Sequence, residues 1–283
     1  MSSARDGAAV VKAGARRGRG FSPGVITPVV ALAVFAVAIV LASVAAPLAT
    51  ASPGQGAQRR APAPRPNTPR SPTDWTVYHG APDGAGVASA ALHLSAPTRA
   101  WRSPKLDGAI YGEPLEAAGR VIVATEDDTV YALAADSGAV LWSTHVAAPV
   151  PAGELPCGNI SPAVGITGTP VIDLARSEVF AVADELSGGH PRHRLVGLDL
   201  YTGALLLNRS VDPPGAHSAA LLQRTGLALA DGRVVFGFGG NYGDCGAYRG
   251  WVVSVPANGR GRLRRYATVP LRGGRRGAVW MGG

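Results

Sequence analysis

The sequence predicts an all-β protein, a partial β-propeller of four-stranded antiparallel blades with about three to four blades present, preceded by one N-terminal apolar helix. Three observations support this prediction. The chain of 283 residues contains 38 Gly and 23 Pro, a composition that favours turns and strands over long helices. Residues 130–142 read VYALAADSGAVLW, two apolar runs around a glycine turn. The same order of strands and turns then returns twice along the chain.

The first predicted blade occupies residues 110–146. A short strand opens near Gly112–Leu115, a second runs over 121–128, and a third over 130–135. Asp136-Ser137-Gly138 is a turn signal, and the fourth strand follows from Ala139 to Trp142. The third strand is apolar on both faces, so neighbouring layers must cover both sides of the blade.

The second and third copies repeat this order. Their turn glycines are Gly203 and Gly259, which follow Gly138 at spacings of 65 and 56 residues. Four short strands repeated at such spacings are typical of a β-propeller. The predicted strands are 168–172, 178–185, 195–200 and 204–211 in the second copy, and 227–230, 233–240, 251–257 and 262–269 in the third. The additional length is assigned to loops at 147–163, 186–194 and 241–250.

The repeat VYALAADSGAVLW resembles the repeat of the pyrroloquinoline-quinone-type (quinoprotein-like) β-propellers. Tyr131, Ala132, Leu133, Gly138 and Trp142 match that pattern, and the second copy matches it without the tryptophan. The resemblance covers roughly residues 73–283. It implies a ring of blades that stack on one another, because a four-stranded blade with two apolar faces cannot fold alone.

Trp101 lies 41 residues before Trp142 in a similar local sequence, TRAWRSP against AVLWSTH. The resemblance implies that 97–104 is the strand that completes the last blade and closes the ring. Because complete rings of this family have more blades than residues 73–283 supply, we expect an N-terminal fragment of a longer propeller.

The N-terminus has the features of an export segment. Residues 1–24 form a basic cytoplasmic n-region, and residues 25–48 form an uncharged apolar run long enough to span a bilayer. Two interpretations remain: an uncleaved, single-pass signal anchor in the cell membrane, or a signal peptide cleaved near Ala51 that releases the protein. Both place the C-terminal part outside the cytoplasm.

Residues 49–72 are rich in Pro and Arg and predict an extended linker. The formal net charge of +8 comes from the tails and the last segment. Residues 256–283 hold seven Arg and no acidic residue, whereas residues 73–255 carry a net charge of −7. Nucleic-acid binding is therefore excluded, because it would require basic residues concentrated on a folded face.

Cys157 and Cys245 are the two cysteines of the chain. In an exported protein, two cysteines in long loops predict one disulfide. His190 and His193 are close enough in sequence to be candidate metal ligands, and Asp127 and Asp128 are candidate ligands at a strand–turn junction. We expect structural roles for all four.

The resemblance also implies a cofactor alternative, pyrroloquinoline quinone with Ca²⁺. Enzymes of this class hold Ca²⁺ with Glu, Asn and Asp, and Glu154, Asn159 and Asp173 have the right residue types. The sequence lacks the adjacent cysteine pair of the methanol-dehydrogenase-like members. We therefore expect no cofactor, no metal site and no catalytic residues.

The sequence thus predicts a membrane-anchored extracytoplasmic propeller that binds or scaffolds an unknown protein or small-molecule ligand and has no catalysis of its own. The alternatives are a quinone-dependent alcohol or sugar dehydrogenase and a gene fragment without a function.

Overall fold

A computed structural model provides the coordinates of the protein. It describes residue 71 and residues 74–88, 99–246 and 248–269. The predicted n-region, apolar segment 25–48 and most of the linker lie outside the described residues. Within the described residues, no helix is long and apolar enough to cross a membrane.

The first blade is a four-stranded antiparallel meander in which each strand pairs with the next along the chain. Its third strand is largely buried on both faces, as the apolar pattern predicted. The strands are β1 (Leu115–Ala117), β2 (Arg120–Ala124), β3 (Thr129–Ala134) and β4 (Val140–His145).

The connection from the first blade to the second carries a small sheet that the sequence did not indicate. Its two strands, β5 (Val150–Pro151) and β6 (Ala163–Val164), pair with each other and flank a short 3-10 helix at Ala152–Glu154. The second blade follows as β7 (Val171–Asp173), β8 (Glu178–Ser187), β9 (His190–Asp199) and β10 (Leu205–Ser210).

The third blade has the same meander with one additional short strand. Before it stand a second 3-10 helix, Ser218–Ala220, and β11 (Leu221–Leu222), which pairs with the far end of the blade's second strand. The blade itself consists of β12 (Ala228–Ala230), β13 (Arg233–Gly240), β14 (Trp251–Pro256) and β15 (Arg264–Ala267). The predicted all-β architecture with repeated four-stranded blades is confirmed for these residues.

The predicted loop at 186–194 is wrong. Strands β8 and β9 continue through this segment and are joined by the two-residue turn Gly188-Gly189. Both glycines have positive φ, 59° and 76°, and a two-residue hairpin turn of this kind requires positive φ at both central positions. Residues 190–194 look like a loop because they are mostly polar. They nevertheless form a strand, since this outer half of the hairpin faces neighbouring polar groups.

The blades stack through two apolar layers. One lies between the first and second blades and includes Leu115, Val130, Trp142 and Leu198. The other lies between the second and third blades and includes Phe180, Phe238 and Val253. Every side chain named here is nearly or fully buried, which explains why the central strands are apolar on both faces.

A repeated contact joins each blade to the next. Trp142 on β4 lies against the turn glycine Gly203 of the second blade, and its indole N–H donates to the carbonyl of Leu200 at 3.1 Å. Leu207 lies in the same way against Gly259 of the third blade. It occupies the equivalent position, since Leu207 follows Gly203 by four residues and Trp142 follows Gly138 by four. We call Trp142 and Leu207 the docking residues.

Trp101 makes the same contact one blade earlier. Its indole N–H donates to the carbonyl of Ala135 at 2.9 Å, and its ring covers Gly138. Ala135 precedes Gly138 by three residues, as Leu200 precedes Gly203. Residues 99–104 nevertheless form no strand in the structure, so the predicted strand at 97–104 is not observed over its described part. The reason is that no described strand lies beside it to pair with.

The segment 74–80 runs across the first strands of the blades. Trp75 exchanges two backbone hydrogen bonds with Glu116 on β1, at 2.7 and 3.0 Å. The next residue, Thr76, accepts a hydrogen bond from the N–H of Ile172 on β7 at 2.8 Å, and Tyr78 packs against Gly226 before β12. One short segment therefore ties the three blades together along their inner edges.

We expect Gly203→Ala to destabilise the protein more than Gly119→Ala. Both glycines have positive φ, 70° and 71°, so both substitutions impose the same backbone strain of about 1 kcal/mol. A Cβ at Gly203 would in addition lie 2.6 Å from the Trp142 ring, whereas Gly119 has no atom within 4 Å. Urea unfolding should show an additional loss of about 2 kcal/mol for Gly203→Ala. Equal losses would mean that the docking contact carries little stability.

Candidate functional site

The long connections of the described chain lie on one face. In an antiparallel meander, the β1–β2 and β3–β4 links lie at one end of the blade. The β2–β3 link and the link to the next blade lie at the opposite end. The links at the first end are two to seven residues long, and we call this end the turn face. The second end carries the connection face, formed by residues 125–128, 146–170, 188–189, 211–227, 241–246 and 248–250.

A disulfide joins two loops of the connection face, as the sequence predicted. Cys157 lies in the connection before the second blade and Cys245 in the loop between β13 and β14 of the third. Their Cα atoms are 6.0 Å apart across a sequence separation of 88 residues. The bridge therefore passes over the second blade and ties the connection that enters it to the blade that follows.

Beneath the connection face lies a buried histidine between two aspartates. The Nδ1 atom of His193 is 2.7 Å from Oδ1 of Asp212, and Ser218 donates to the same oxygen at 2.8 Å. On the other side of the ring, Nε2 lies 3.3 Å from Oδ1 of Asp184 without forming a hydrogen bond. The ring edge also packs against Phe238 of the third blade, with centroids 4.6 Å apart.

Burial and charge decide the protonation of this group. Burial disfavours the imidazolium, yet the Asp184 and Asp212 carboxylates outweigh that effect and raise the pKa of His193. Burial also acts on Asp212, but the hydrogen bond and charge of His193 leave the pKa of Asp212 lowered. Both shifts favour the charged pair of His193⁺ and Asp212⁻ inside the protein.

Three further carboxyl groups of this region are held toward the neutral form. Burial, and then the charge of Asp184, raises the pKa of Asp128 to about 9. Burial raises the pKa of Asp184 to about 7, although His193 opposes the shift. Burial also raises the pKa of Glu126, which accepts hydrogen bonds from the Gly165 N–H at 2.7 Å and the Thr167 hydroxyl at 3.1 Å.

The structure divides the residues that the sequence singled out. The predicted loop position is wrong for both histidines, because both lie on β9. His193 is buried, whereas His190 is exposed at the start of the strand. Their odd separation on a strand points the two side chains to opposite faces. Asp128 is buried and Asp127 is half-buried beside a cavity of about 210 Å³ that Glu126 also lines.

The calcium candidates are not brought together. Glu154 and Asn159 are exposed in the connection before the second blade. Asp173 ends β7 at the turn face, where it accepts a hydrogen bond from the Arg176 N–H at 3.1 Å. Among the described residues, no group of three or more His, Cys, Asp or Glu side chains has the arrangement of a metal site. This donor set does not fit the calcium of a quinone site.

Sequence reasoning missed the core of this region. The sequence does not single out Asp184, Asp212 and Ser218, because Asp184 lies in the second blade, the other two lie in the connection that follows it, and no local motif joins them. One signal was present: His193 and Asp184 sit at equivalent depths of the two arms of one hairpin and are directly paired. A correct hairpin register would have placed them side by side.

We expect the free energy of unfolding to fall as the pH rises from about 5 to about 8. Asp128, Asp184, Glu126 and His193 all have raised pKa values, so the folded state binds more protons than the unfolded state over this range. Each additional proton bound by the folded state lowers the free energy of unfolding by up to about 1.4 kcal/mol for each pH unit of increase.

The variant Asp128→Asn tests whether the buried carboxyl groups cause this pH dependence. It removes the buried acid while keeping its shape, and Asn tolerates the positive φ of 53° at this position. The variant should be more stable than the wild type by about 1–2 kcal/mol at about pH 8 and should show a flatter pH dependence. Asp136→Asn, at an exposed turn, is the control and should leave the profile unchanged. An unaltered slope in Asp128→Asn would refute the assignment.

The disulfide is expected to stabilise the fold. Replacement of Cys157 and Cys245 together by Ser releases a loop of 88 residues, which corresponds to at most about 4–5 kcal/mol of unfolding free energy. Urea unfolding with and without a reductant measures the effect. The reductant should lower the midpoint of the wild type to that of the double variant and leave the variant itself unchanged. A wild type insensitive to complete reduction would contradict this.

Comparison with known proteins supports the fold. The family model described as outer membrane protein assembly factor BamB matches residues 90–278. A search of curated proteins returned no match. Among solved structures, the quinohemoprotein alcohol dehydrogenase of Comamonas testosteroni matches with 17% identity and a TM-score of 0.54, covering 70% of this chain and 28% of that chain.

Two other solved structures show weaker overlap. A quinohemoprotein alcohol dehydrogenase of Pseudomonas putida HK5 matches with 22% identity and a TM-score of 0.49, covering 70% of this chain and 27% of that one. BamB of Moraxella catarrhalis matches with 17% identity and a TM-score of 0.39, covering 62% and 56% of the two chains. This chain spans less than two thirds of the length of each of these proteins.

Proposed function

Because the chain belongs to the PQQ-repeat β-propeller family described as outer membrane protein assembly factor BamB, we propose that it is a binding or scaffolding module outside the cytoplasm, with no catalysis of its own. The description of the family as an assembly factor supports a protein as the expected partner. The predicted segment 25–48 would anchor the module in the membrane.

One observation carries this proposal: the long connections and the disulfide are all on the connection face. Propellers bind partners through loops that a rigid scaffold positions. Here the disulfide and the stacked blades hold those loops, while no described link of the turn face is longer than seven residues. Tyr242 in the β13–β14 loop is 68% exposed, and an exposed aromatic side chain of this kind is common in protein interfaces.

The alternative is a quinone-dependent dehydrogenase. The fold shared with the Comamonas testosteroni enzyme favours it, but at 17% identity that likeness concerns the fold alone. The split between Glu154 and Asn159 on one face and Asp173 on the other does not support it, and we derive no step through a quinone. Dye-linked oxidation of alcohols or sugars on addition of quinone and Ca²⁺ would establish this alternative.

Site-specific photo-crosslinking in cells tests the binding proposal. A benzoyl-phenylalanine at position 242 should form a light-dependent adduct of defined mass with a protein outside the cytoplasm. The same residue at Ser137, exposed on the turn face, is the matched control and should give none. Equal adducts from both positions, or none from position 242, would contradict the proposal.

A further inference from the structure

Exposed apolar side chains recur where the last strand of a blade leaves the turn face. Strand β4 begins with Val140 and Leu141, which are 41% and 49% exposed, and β10 begins with Leu205 and Leu206, which are 46% and 52% exposed. Each pair follows the turn glycine of its blade by two and three residues, so the two pairs are equivalent. Single exposed leucines are ordinary on a protein surface, but a repeated pair at one edge marks a contact surface.

A β-bulge lies at the same place in both strands. Leu141 has no paired residue on β3, because the register shifts there, and Leu206 has none on β9 for the same reason. A bulge re-aims a side chain of the strand and is a regular feature of a fold. The packing of Trp142 against Gly203 makes the two apolar pairs neighbours along the edge.

The third blade has arginines at this end instead of leucines. Arg260, Arg262 and Arg264 are all exposed, in or directly after the β14–β15 link 257–263. Among the described residues, none of these three guanidiniums forms a salt bridge. The links of the turn face also contain two exposed carboxylates, Asp136 and Asp231, so the excess of positive charge is confined to the third blade.

Two further arginines hold the basic link in position. Arg209 of β10 donates to the carbonyls of Gly259 and Gly261 at 3.1 and 2.9 Å. Arg233 of β13 donates to the carbonyl of Arg262 at 3.1 Å. These two guanidiniums already have acceptors within the protein, so they are not counted as binding groups. Their contacts keep the exposed arginines of the link beside the apolar pair of β10.

The chain enters the blades at the same face. The N–H of Ala118, in the β1–β2 link, donates to the Asp74 carboxylate at 3.4 Å, and the N–H of Asp74 donates to the Ser71 carbonyl at 3.0 Å. The predicted linker 49–72 therefore ends at the turn face, and the predicted membrane segment 25–48 directly precedes that linker. A linker that starts in a membrane keeps the turn face within reach of its surface.

From these features we propose that the turn face lies on the surface of a membrane that contains anionic lipids. Binding at such a surface combines apolar side chains that enter the headgroup boundary with cations that attract the headgroups. The contact residues, which we call the turn-face rim, are Val140, Leu141, Leu205, Leu206, Arg260, Arg262 and Arg264.

This inference rests on the proposed anchoring by residues 25–48 and adds an orientation to it. The connection face lies at the opposite end of the strands, so it points away from the membrane. The loops proposed to bind a partner protein are then accessible while the turn-face rim contacts lipid.

Photo-crosslinking of the full chain in vesicles of equal parts phosphatidylglycerol and phosphatidylcholine tests this contact. Benzoyl-phenylalanine replaces Leu206, and Ser210, exposed about 13 Å further along the same strand, is the matched position. Interfacial side chains enter only about 5–10 Å into the headgroup boundary, so the adduct with the mass of one phospholipid should form at least about 5-fold more at position 206. Equal yields at the two positions would overturn the proposal.

The charge of the lipid and of the rim gives a second test at position 206. In vesicles of phosphatidylcholine alone, the yield should fall at least about 3-fold, because the attraction to anionic headgroups is lost. Replacing Arg260, Arg262 and Arg264 together by Gln should have the same effect in the mixed vesicles. Replacing them by Lys should preserve the yield, because a lipid surface attracts charge without requiring the guanidinium fork.

A single substitution in each face provides the matched control. Arg262→Gln should weaken the contact by up to about 5-fold. Arg192→Gln, at an exposed arginine of the β8–β9 hairpin near the connection face, should change it less than about 2-fold. A yield that responds neither to lipid charge nor to the rim arginines would overturn the proposal.

The mass of each adduct separates this inference from the proposed function. In cells, a protein adduct at position 206 without a lipid adduct would overturn the membrane contact and make the rim a protein interface. A lipid adduct at position 206 without a protein adduct at position 242 would support this inference and remove the protein scaffold. The reverse result would remove this inference alone. Release of the chain from vesicles by alkaline extraction would remove the anchor, whereas a lipid adduct at position 206 would still establish the rim.

Discussion

The structure depends on a single packing constraint: a blade with two apolar faces has to be covered on both. The docking residues Trp142 and Leu207 meet this constraint at the edge of each interface, since each reaches across to a turn glycine of the next blade. The indole N–H of Trp142 finds a carbonyl there, so the ring is buried without an unsatisfied donor. Because the first and second blades each supply both a docking residue and a turn glycine, the same contact is used at both interfaces of the stack.

The same stacking explains where the polar chemistry lies. Apolar layers fill the interfaces near the middle of the strands, and charged groups are tolerated only where a partner is available. His193 has such a partner in Asp212, and Phe238 of the next blade closes the ring edge. Among the described residues, the neighbouring acid Asp128 has no hydrogen-bond partner, and burial holds it toward the neutral form. These groups lie under the connection face, where the long loops and the disulfide keep solvent out.

Most of the fold was predictable because the pattern is local. The alternation in 130–142 and the turn signal at Gly138 identify a hairpin from neighbouring residues alone, and the strands of all three copies appear close to the predicted positions. The hairpin at 186–194 was not predicted, because His190 to Arg194 look like a loop until their partners on β8 are known. The disulfide was predictable from the presence of two cysteines in a chain that the sequence predicts to be exported.

The sequence by itself determined the strand order, the repeat and the Cys157–Cys245 pair, because each follows from residues that are close in sequence or few in number. Only the tertiary structure decided which side chains meet. Asp184, His193 and Asp212 come together because strand register and blade stacking bring distant segments into contact. The same geometry separates Asp173 from Glu154 and Asn159. Asp173 ends β7 at the turn face, whereas the other two lie in the connection face at the opposite end of the strands. Faces and distances are properties of the stacked blades, and no local pattern encodes them.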